Sequence, residues 1–252
     1  VSERDPIAAT PVSVAMATYN GLRWLQPQID SILSNLREGD ELVIVDDGSS
    51  DGTWERLLDL GDPRVRPVRN EANRGVRATF ERALSLTRHD IVFLADQDDV
   101  WEPGKRDAFV AEFLADPDCS IVISDSRVID GEGRITLDSF MATKGGFAGS
   151  PLATILRNRY LGCAMAVRRR VVQAALPIPA KVPQHDIWIG LVAAVIGRPR
   201  YLARPLLRYR RHGGNASPFR SQSIGRMLRW RVDLVSALAT RMREWRARAP
   251  AA

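Results

Sequence analysis

Glu41-Leu-Val-Ile-Val-Asp-Asp-Gly-Ser-Ser-Asp-Gly-Thr53 is an apolar run that stops on two carboxylates and a turn of glycine, serine and aspartate. Its length and β-branched content predict a buried strand, Glu41 to Val45, and the polar cluster marks the strand's end. The same pattern recurs on either side. Val12 to Thr18 stops at Tyr19-Asn20-Gly21, and Ile91 to Ala95 stops at Asp96-Gln97-Asp98-Asp99. Between these runs lie helical spacings: Leu25, Ile29, Ile32, Leu33 and Leu36 before Gly39, and a helix after Gly52 through Leu60. After a short strand at Val65–Val68, a third helix opens at Asn73-Arg74-Gly75 and carries Phe80, Ala83, Leu84 and Leu86. Alternating strands and helices with polar strand ends predict an α/β fold, a mostly parallel, Rossmann-like mixed sheet flanked by helices. Ligands bind such sheets at the carboxyl edge of the strands.

The second half is less regular. Pro103 to Phe113 reads as a helix and Ser120–Ser124 as a strand. Arg127 to Leu137 reads as a hairpin about Asp130-Gly131-Glu132-Gly133. Residues 138–150, rich in glycine and small side chains, read as a candidate mobile loop. Leu161–Val167 is a strand, Asp186 begins an apolar helix, and Leu206–Arg210 is a last strand before His212. This gives one domain over residues 1–215 and a C-terminal amphipathic helical extension over 216–252.

Composition narrows the function classes. The 252 residues are 45% hydrophobic and 26% charged, which excludes disorder and a small disulfide scaffold. Cys119 and Cys163 lie in apolar runs and read as buried, reduced thiols of a cytoplasmic chain. The opening VSERDP does not resemble a signal peptide. The longest apolar run, Ile187 to Gly197, is far below the roughly 18 residues that span a bilayer. The net charge of +6 conceals a division. Residues 1–150 hold 16 Lys+Arg against 27 Asp+Glu, a balance of −11, whereas residues 151–252 hold 20 against 3, a balance of +17. The basic half therefore faces something anionic: nucleic acid, a membrane surface, or phosphates held against the acidic half.

Several clusters could carry chemistry. Asp96, Asp98 and Asp99 place three carboxylates within four residues, which calls for a neutralising cation such as Mg²⁺ or Mn²⁺ unless the turn merely caps the next helix. Asp46 and Asp47 follow a strand directly and suit either a nucleoside or a plain turn with an N-cap. Asp186 is the sole acidic residue between Asp138 and Asp233, so it is a candidate general base as well as an N-cap. His212 reads as a metal ligand or an exposed turn residue. Arg74, Arg210 and Arg211 suit phosphate oxygens, although 33 of the 36 basic residues are arginines. Trp101 and Trp188 suit a sugar or the core.

Taken in order, Ala17-Thr-Tyr-Asn-Gly21, Val45-Asp-Asp-Gly-Ser-Ser-Asp-Gly-Thr53, Leu94-Ala-Asp-Gln-Asp-Asp-Val-Trp101, Gln184-His-Asp-Ile-Trp188 and Tyr209-Arg-Arg-His-Gly-Gly-Asn215 resemble glycosyltransferase family 2, over roughly residues 10–215. The third and fourth motifs resemble its rhamnosyltransferase-like branch, which builds bacterial surface polysaccharide. The resemblance implies a GT-A fold and an inverting, metal-dependent transfer from a nucleotide sugar to a hydroxyl of a glycan or lipid-linked acceptor. It implies that Thr18, Tyr19, Asn20, Asp46, Asp47, Arg74, Asp96, Gln97 and Arg211 line the nucleotide-sugar site, with Asp47 on the base and Asp96 on the ribose. Asp98 and His212 would hold Mg²⁺ or Mn²⁺, Asp186 would be the catalytic base, and His185 and Trp188 would meet the acceptor. The commoner Glu-Asp pair of the family reads His185-Asp186 here. The donor implied is dTDP-rhamnose, with a UDP-hexose as the alternative.

The tail from Ser221 to Arg248 carries a stripe of Ile224, Leu228, Val235, Leu238, Met242 and Trp245 among arginines. Such a helix suits an anionic surface at the inner face of the cell membrane, or packs its stripe on the main domain or on a second copy in a homodimer. Both readings stay open. Other classes fit less well. No Gly-rich phosphate loop follows the first strand, as a nucleotidyltransferase or dinucleotide oxidoreductase would need. Nucleic-acid binding lacks an aromatic platform among the basic residues.

Overall fold

The computed structural model describes residues 5–182, 184–213 and 224–248. In chain order they form α1 (Pro6–Ala9), β1 (Val12–Thr18), α2 (Leu22–Leu33), β2 (Glu41–Asp46), α3 (Thr53–Leu58), β3 (Val65–Arg69), α4 (Val76–Leu86) and β4 (Ile91–Asp96). There follow β5 (Val100–Trp101), α5 (Lys105–Ala115), β6 (Cys119–Ile129), β7 (Ile135–Leu137), α6 (Phe140–Thr143) and α7 (Pro151–Leu156). The chain continues with β8 (Met165–Arg168), α8 (Arg169–Ala175), α9 (His185–Ile196), β9 (Arg198–Arg210) and α10 (Ile224–Arg248).

The strands make one sheet in the order β3-β2-β1-β4-β8-β6-β9-β5, with β7 on β6. β3, β2, β1 and β4 run parallel, as alternating strand and helix require. Beyond them the parallel expectation holds only for β6 and β9, since β8 is antiparallel to both β4 and β6, and β5 is antiparallel to β9. At β7 the reason is local: the chain turns back on β6 in a hairpin, which needs no crossover helix.

Side chains alternate across the strands into two cores. Val14 and Met16 of β1 pack with Leu25, Ile29, Phe109 and Phe113 on one face, whereas Ala15, Val45 and Leu94 pack with Phe80, Leu84, Trp188 and Leu191 on the other. Helices thus cover both faces, which is why the central strands read as unbroken apolar runs. The register decides where chemistry collects. Thr18 pairs with Asp46 across β1 and β2, and Ala17 pairs with Asp96 across β1 and β4, so three polar strand ends lie on one edge.

Several expectations need correction. Residues 138–150 include α6, which Ser139 caps by accepting the Ala142 N–H at 3.0 Å while its own hydroxyl donates to Asp125. The strand expected at Leu161–Val167 is a 3₁₀ turn, Gly162–Ala164, followed by β8. β6 and β9 both extend well beyond the runs expected for them. In α10, Leu238, Met242 and Trp245 pack on the second core, whereas Leu228 and Val235 face outward. The domain boundary at 215/216, the residues from Ser221 to Ser223 and the end of the Tyr209–Asn215 motif lie outside the described residues. Among the described residues no helix is long and apolar enough to cross a membrane, and both cysteines are buried and outside any disulfide.

Candidate active site

The ends of β1 and β4 are tied by Gln97. Its Oε1 accepts the Thr18 hydroxyl at 2.5 Å and the Tyr19 N–H at 2.7 Å, while its Nε2 donates to the Tyr19 carbonyl at 3.1 Å. A Cβ at Gly21 would overlap that Oε1, so glycine there lets the amide close the gap. Asn20 takes a positive φ of 47° and its Oδ1 accepts the Ser50 N–H at 2.9 Å, joining this turn to the one after β2. Tyr19, Asn20, Arg23, Trp24, Gln97 and His212 line an open cleft of about 590 Å³ at this edge. A larger hollow of about 760 Å³, lined by Phe147, Arg198, Arg200 and Tyr201, contains none of the residues selected from the sequence.

The two aspartates after β2 differ. Asp46 has no exposed surface; its carboxylate accepts the N–H and hydroxyl of Ser49 and lies 3.4 Å from Arg69. It braces the turn, with its carboxylate turned toward Ser49 and Arg69. Asp47 is 3% exposed and accepts hydrogen bonds from Asn70 Nδ2 at 2.6 Å, Arg74 N at 2.9 Å and Gly75 N at 2.8 Å. It thereby holds the start of α4, and these three bonds leave about one of a carboxylate's four acceptor positions. Arg74 itself is exposed beside it.

At the end of β4, Asp98 Oδ2 lies 2.8 Å from His212 Nε2, and the His212 ring stacks on Trp24 at 4.0 Å. β9 brings His212 there. The Arg210 N–H donates to Asp99 Oδ1 at 2.8 Å, its guanidinium donates to the Asp98 carbonyl at 2.6 Å, and the Arg211 N–H donates to the Ile129 carbonyl at 2.8 Å. The Arg211 guanidinium lies over the Tyr209 ring at 5.7 Å.

The fit of a divalent ion rests on the donor set. Two neighbouring ligands on an octahedral ion, each about 2.1 Å from it, lie about 3 Å apart. Asp98 and His212 are joined directly by a 2.8 Å hydrogen bond, a separation that two ligands of one such ion could also keep, and a carboxylate with an imidazole suits Mn²⁺ and accommodates Mg²⁺. A second set, Asp96, Asp99 and Cys163, has ligand atoms within 4.8 Å of one another but fits such an ion poorly. Sulfur is a soft ligand, and the buried Lys105 ammonium, which donates to the Cys163 carbonyl at 2.8 Å, already brings positive charge to Asp96 and Asp99. Burial, reinforced by Asp98, pushes Asp96 up to about 7 and Asp99 well above the usual carboxylate range. Burial lowers Lys105 to about 8.

Asp186 stands in the first turn of α9 and is close enough to Asp96 for the two charges to interact. Burial raises it to about 6, against the Ile187 N–H and the Asn158 amide, which bond its carboxylate, and the Lys144 charge. Asn158 and Lys144 are not among the residues that the sequence singles out. Lys144 has a signal, being the lone lysine of the Gly-rich 138–150 segment; Asn158 has none. His185 stacks on Phe80 at 4.1 Å, and burial holds it neutral, near 4. Trp188 is fully buried and donates its indole N–H to the Ala175 carbonyl at 2.8 Å. In the first turn of an apolar helix, it packs in the core on the sheet.

A family model described as "Glycosyl transferase family 2" matches residues 13–175. The chain is 31% identical over 218 residues to an uncharacterized glycosyltransferase of Nostoc sp., covering 81% of this chain and 66% of that one. It is 23% identical over 185 residues to the UDP-Glc:alpha-D-GlcNAc-diphosphoundecaprenol beta-1,3-glucosyltransferase WfgD of Escherichia coli, covering 72% and 69% of the two chains. The fold is similar to that of S. aureus TarS 1-349 in complex with UDP-GlcNAc, with a TM-score of 0.68 and 16% identity over 92% of this chain and 66% of that one. The chain thus spans about two thirds of the length of these relatives. The sheet and its flanking helices are of the GT-A type.

Proposed function

As a member of glycosyl transferase family 2, the chain is, we propose, an inverting transferase that moves a sugar from a nucleoside diphosphate donor to an acceptor hydroxyl in bacterial surface polysaccharide synthesis. The observation that carries this reading is the meeting of Asp98 and His212 at 2.8 Å on the carboxyl edge of the sheet, with Asp186 in electrostatic reach of the same carboxylates.

The roles follow from position. Thr18, Tyr19, Asn20 and Gln97 form the wall on which the nucleoside rests, Asp47 offers its remaining acceptor position to the base, and Asp96 faces the ribose. Asp98 and His212 are the ligands for Mg²⁺ or Mn²⁺; when bound, the ion supplies positive charge against the diphosphate. Arg74 and Arg211 add guanidinium donors for phosphate oxygens. Asp186 takes the proton of the acceptor hydroxyl as that oxygen bonds to the anomeric carbon. The bond from that carbon to the diphosphate breaks on the opposite side, and the nucleoside diphosphate leaves with the electron pair. His185, adjacent to Asp186, is assigned to the acceptor side.

The donor has two readings. The Asp96-Gln-Asp-Asp-Val-Trp101 and His185-Asp-Ile-Trp188 motifs favour dTDP-rhamnose. The printed names of WfgD and of the TarS complex carry UDP-Glc and UDP-GlcNAc, which favours a UDP-hexose. The WfgD name also carries a diphosphoundecaprenol acceptor, which supports a lipid-linked acceptor and peripheral membrane contact through residues 221–248. Asp186→Asn tests the mechanism: transfer is expected to be lost while nucleotide binding, followed by calorimetry, survives. Loss of binding together with activity would remove Asp186 from the role of base.

A further inference from the structure

α10 presents two different faces. Its inner face, Leu234, Leu238, Met242 and Trp245, packs on the main domain, and Arg241 fastens it by donating to the carbonyls of Ala174 at 2.9 Å, Leu176 at 2.8 Å and Pro177 at 2.7 Å. Its outer face carries Leu228, Val232 and Val235, which are 54%, 68% and 46% exposed and follow one another at four- and three-residue spacing along one stripe. α7 lies against this helix. Arg231 donates to the carbonyls of Ile155 at 3.3 Å and Leu156 at 2.8 Å, and α7 exposes Leu152 and Leu156 at 67% and 57%. Scattered exposed apolar side chains are ordinary, but three along one stripe of a helix, joined to a second helix that exposes two more, are a candidate contact surface.

Arg226, Arg229, Arg243 and Arg246 of α10 are all exposed. The acidic residues of that helix are Asp233 and Glu244, and Glu244 lies 3.4 Å from Arg241. An apolar stripe with a guanidinium rim matches a surface that offers acyl chains below a layer of negative charge. A second copy does not match it as well, because a two-fold contact sets the patch against itself, and its four exposed arginines would meet only Asp233 and Glu244 as acidic partners from the same helix.

We infer that the outer face of α10, together with the leucines of α7, docks on an anionic lipid surface. The docking rests on the proposed function for its purpose alone: α7 leads within two residues to Asn158, the amide that holds Asp186, so the docked face adjoins the side from which a lipid-linked acceptor would reach the base.

The test is flotation of the full chain with vesicles of phosphatidylglycerol and phosphatidylcholine in equal parts, compared with phosphatidylcholine alone. The chain is expected to float with the anionic vesicles and to stay behind with the neutral ones. Leu228→Glu with Val232→Glu is expected to abolish flotation. Arg229→Gln with Arg246→Gln is expected to weaken partitioning by roughly tenfold or more. Both variants should keep the wild-type Tm, because these side chains lie outside the core. Failure of the wild type to float on anionic vesicles, or flotation unchanged in both variants, would overturn the inference. So would a dimer in sedimentation that Leu228→Glu with Val232→Glu dissolves, since the face would then serve self-association. Nucleotide titration of the same preparation separates the two proposals: a chain that floats but binds no nucleotide retains the lipid surface and loses the proposed function.

Discussion

Asp186 ties the sequence to the chemistry more closely than any other residue, because it is the sole acidic residue between Asp138 and Asp233 and lies within electrostatic reach of the carboxylate cluster. Burial lifts it from the ordinary aspartate value near 4 to about 6. A base must be ionised to accept a proton, so kcat is expected to fall as pH drops through about 6 and to level off above it. Lys144 favours the ionised form, so Lys144→Gln should move this acid limb to higher pH. A limb that stays near pH 4 in both proteins would contradict the assignment. The linked effect on stability has a definite sign. With its folded value raised, Asp186 stabilises the protonated fold, and stability is lost as pH rises from about 4 through about 6. Asp186→Asn should therefore be at least as stable as the wild type at neutral pH. At this scale the motifs are legible: Asp98 and His212, 114 residues apart and paired only by the family resemblance, lie 2.8 Å from one another. It is not legible where a side chain's direction decides the matter. Asp46 closes a strand and Trp188 stands in the first turn of a helix, and both point inward.

Elements are legible in proportion to their burial. β1, β2 and β4 are covered on both faces, so each appears as an apolar run with a polar stop, and the helices between them show a single apolar stripe. β9 reads Arg198-Pro-Arg-Tyr-Leu-Ala-Arg-Pro-Leu-Leu-Arg-Tyr-Arg210, and burial is concentrated in its final third. Its long first part is built by pairing with β6, a tertiary cause that leaves no apolar run in the sequence. The placement of α9, and hence of Asp186, depends on a close approach at Gly190. A Cβ there would collide with the Tyr160 ring, and that ring is buried with little room to retreat. Gly190→Ala is therefore expected to destabilise the chain by about 1–3 kcal/mol in urea unfolding, through overpacking. A stability unchanged within error would mean that α9 shifts freely and is not what fixes the base.

At the scale of the molecule, the division of charge acquires a spatial meaning. The acidic first half contributes β2 and β4, whose terminal carboxylates gather at one edge beside the end of β1, and the basic second half returns through β9 to set Arg210 and His212 against Asp99 and Asp98. Cation and diphosphate would then complete a balanced assembly between the halves, a requirement visible in the charge count alone. The central claim is that this edge is a metal-dependent nucleotide site, and calorimetric titration with dTDP and with UDP, each with and without Mn²⁺, tests it most directly. Binding of one nucleotide that strengthens with Mn²⁺ and weakens in His212→Ala is expected, and the nucleotide that binds identifies the donor class. Binding of neither nucleotide by the folded protein, or binding indifferent to Mn²⁺ and to His212, would contradict it.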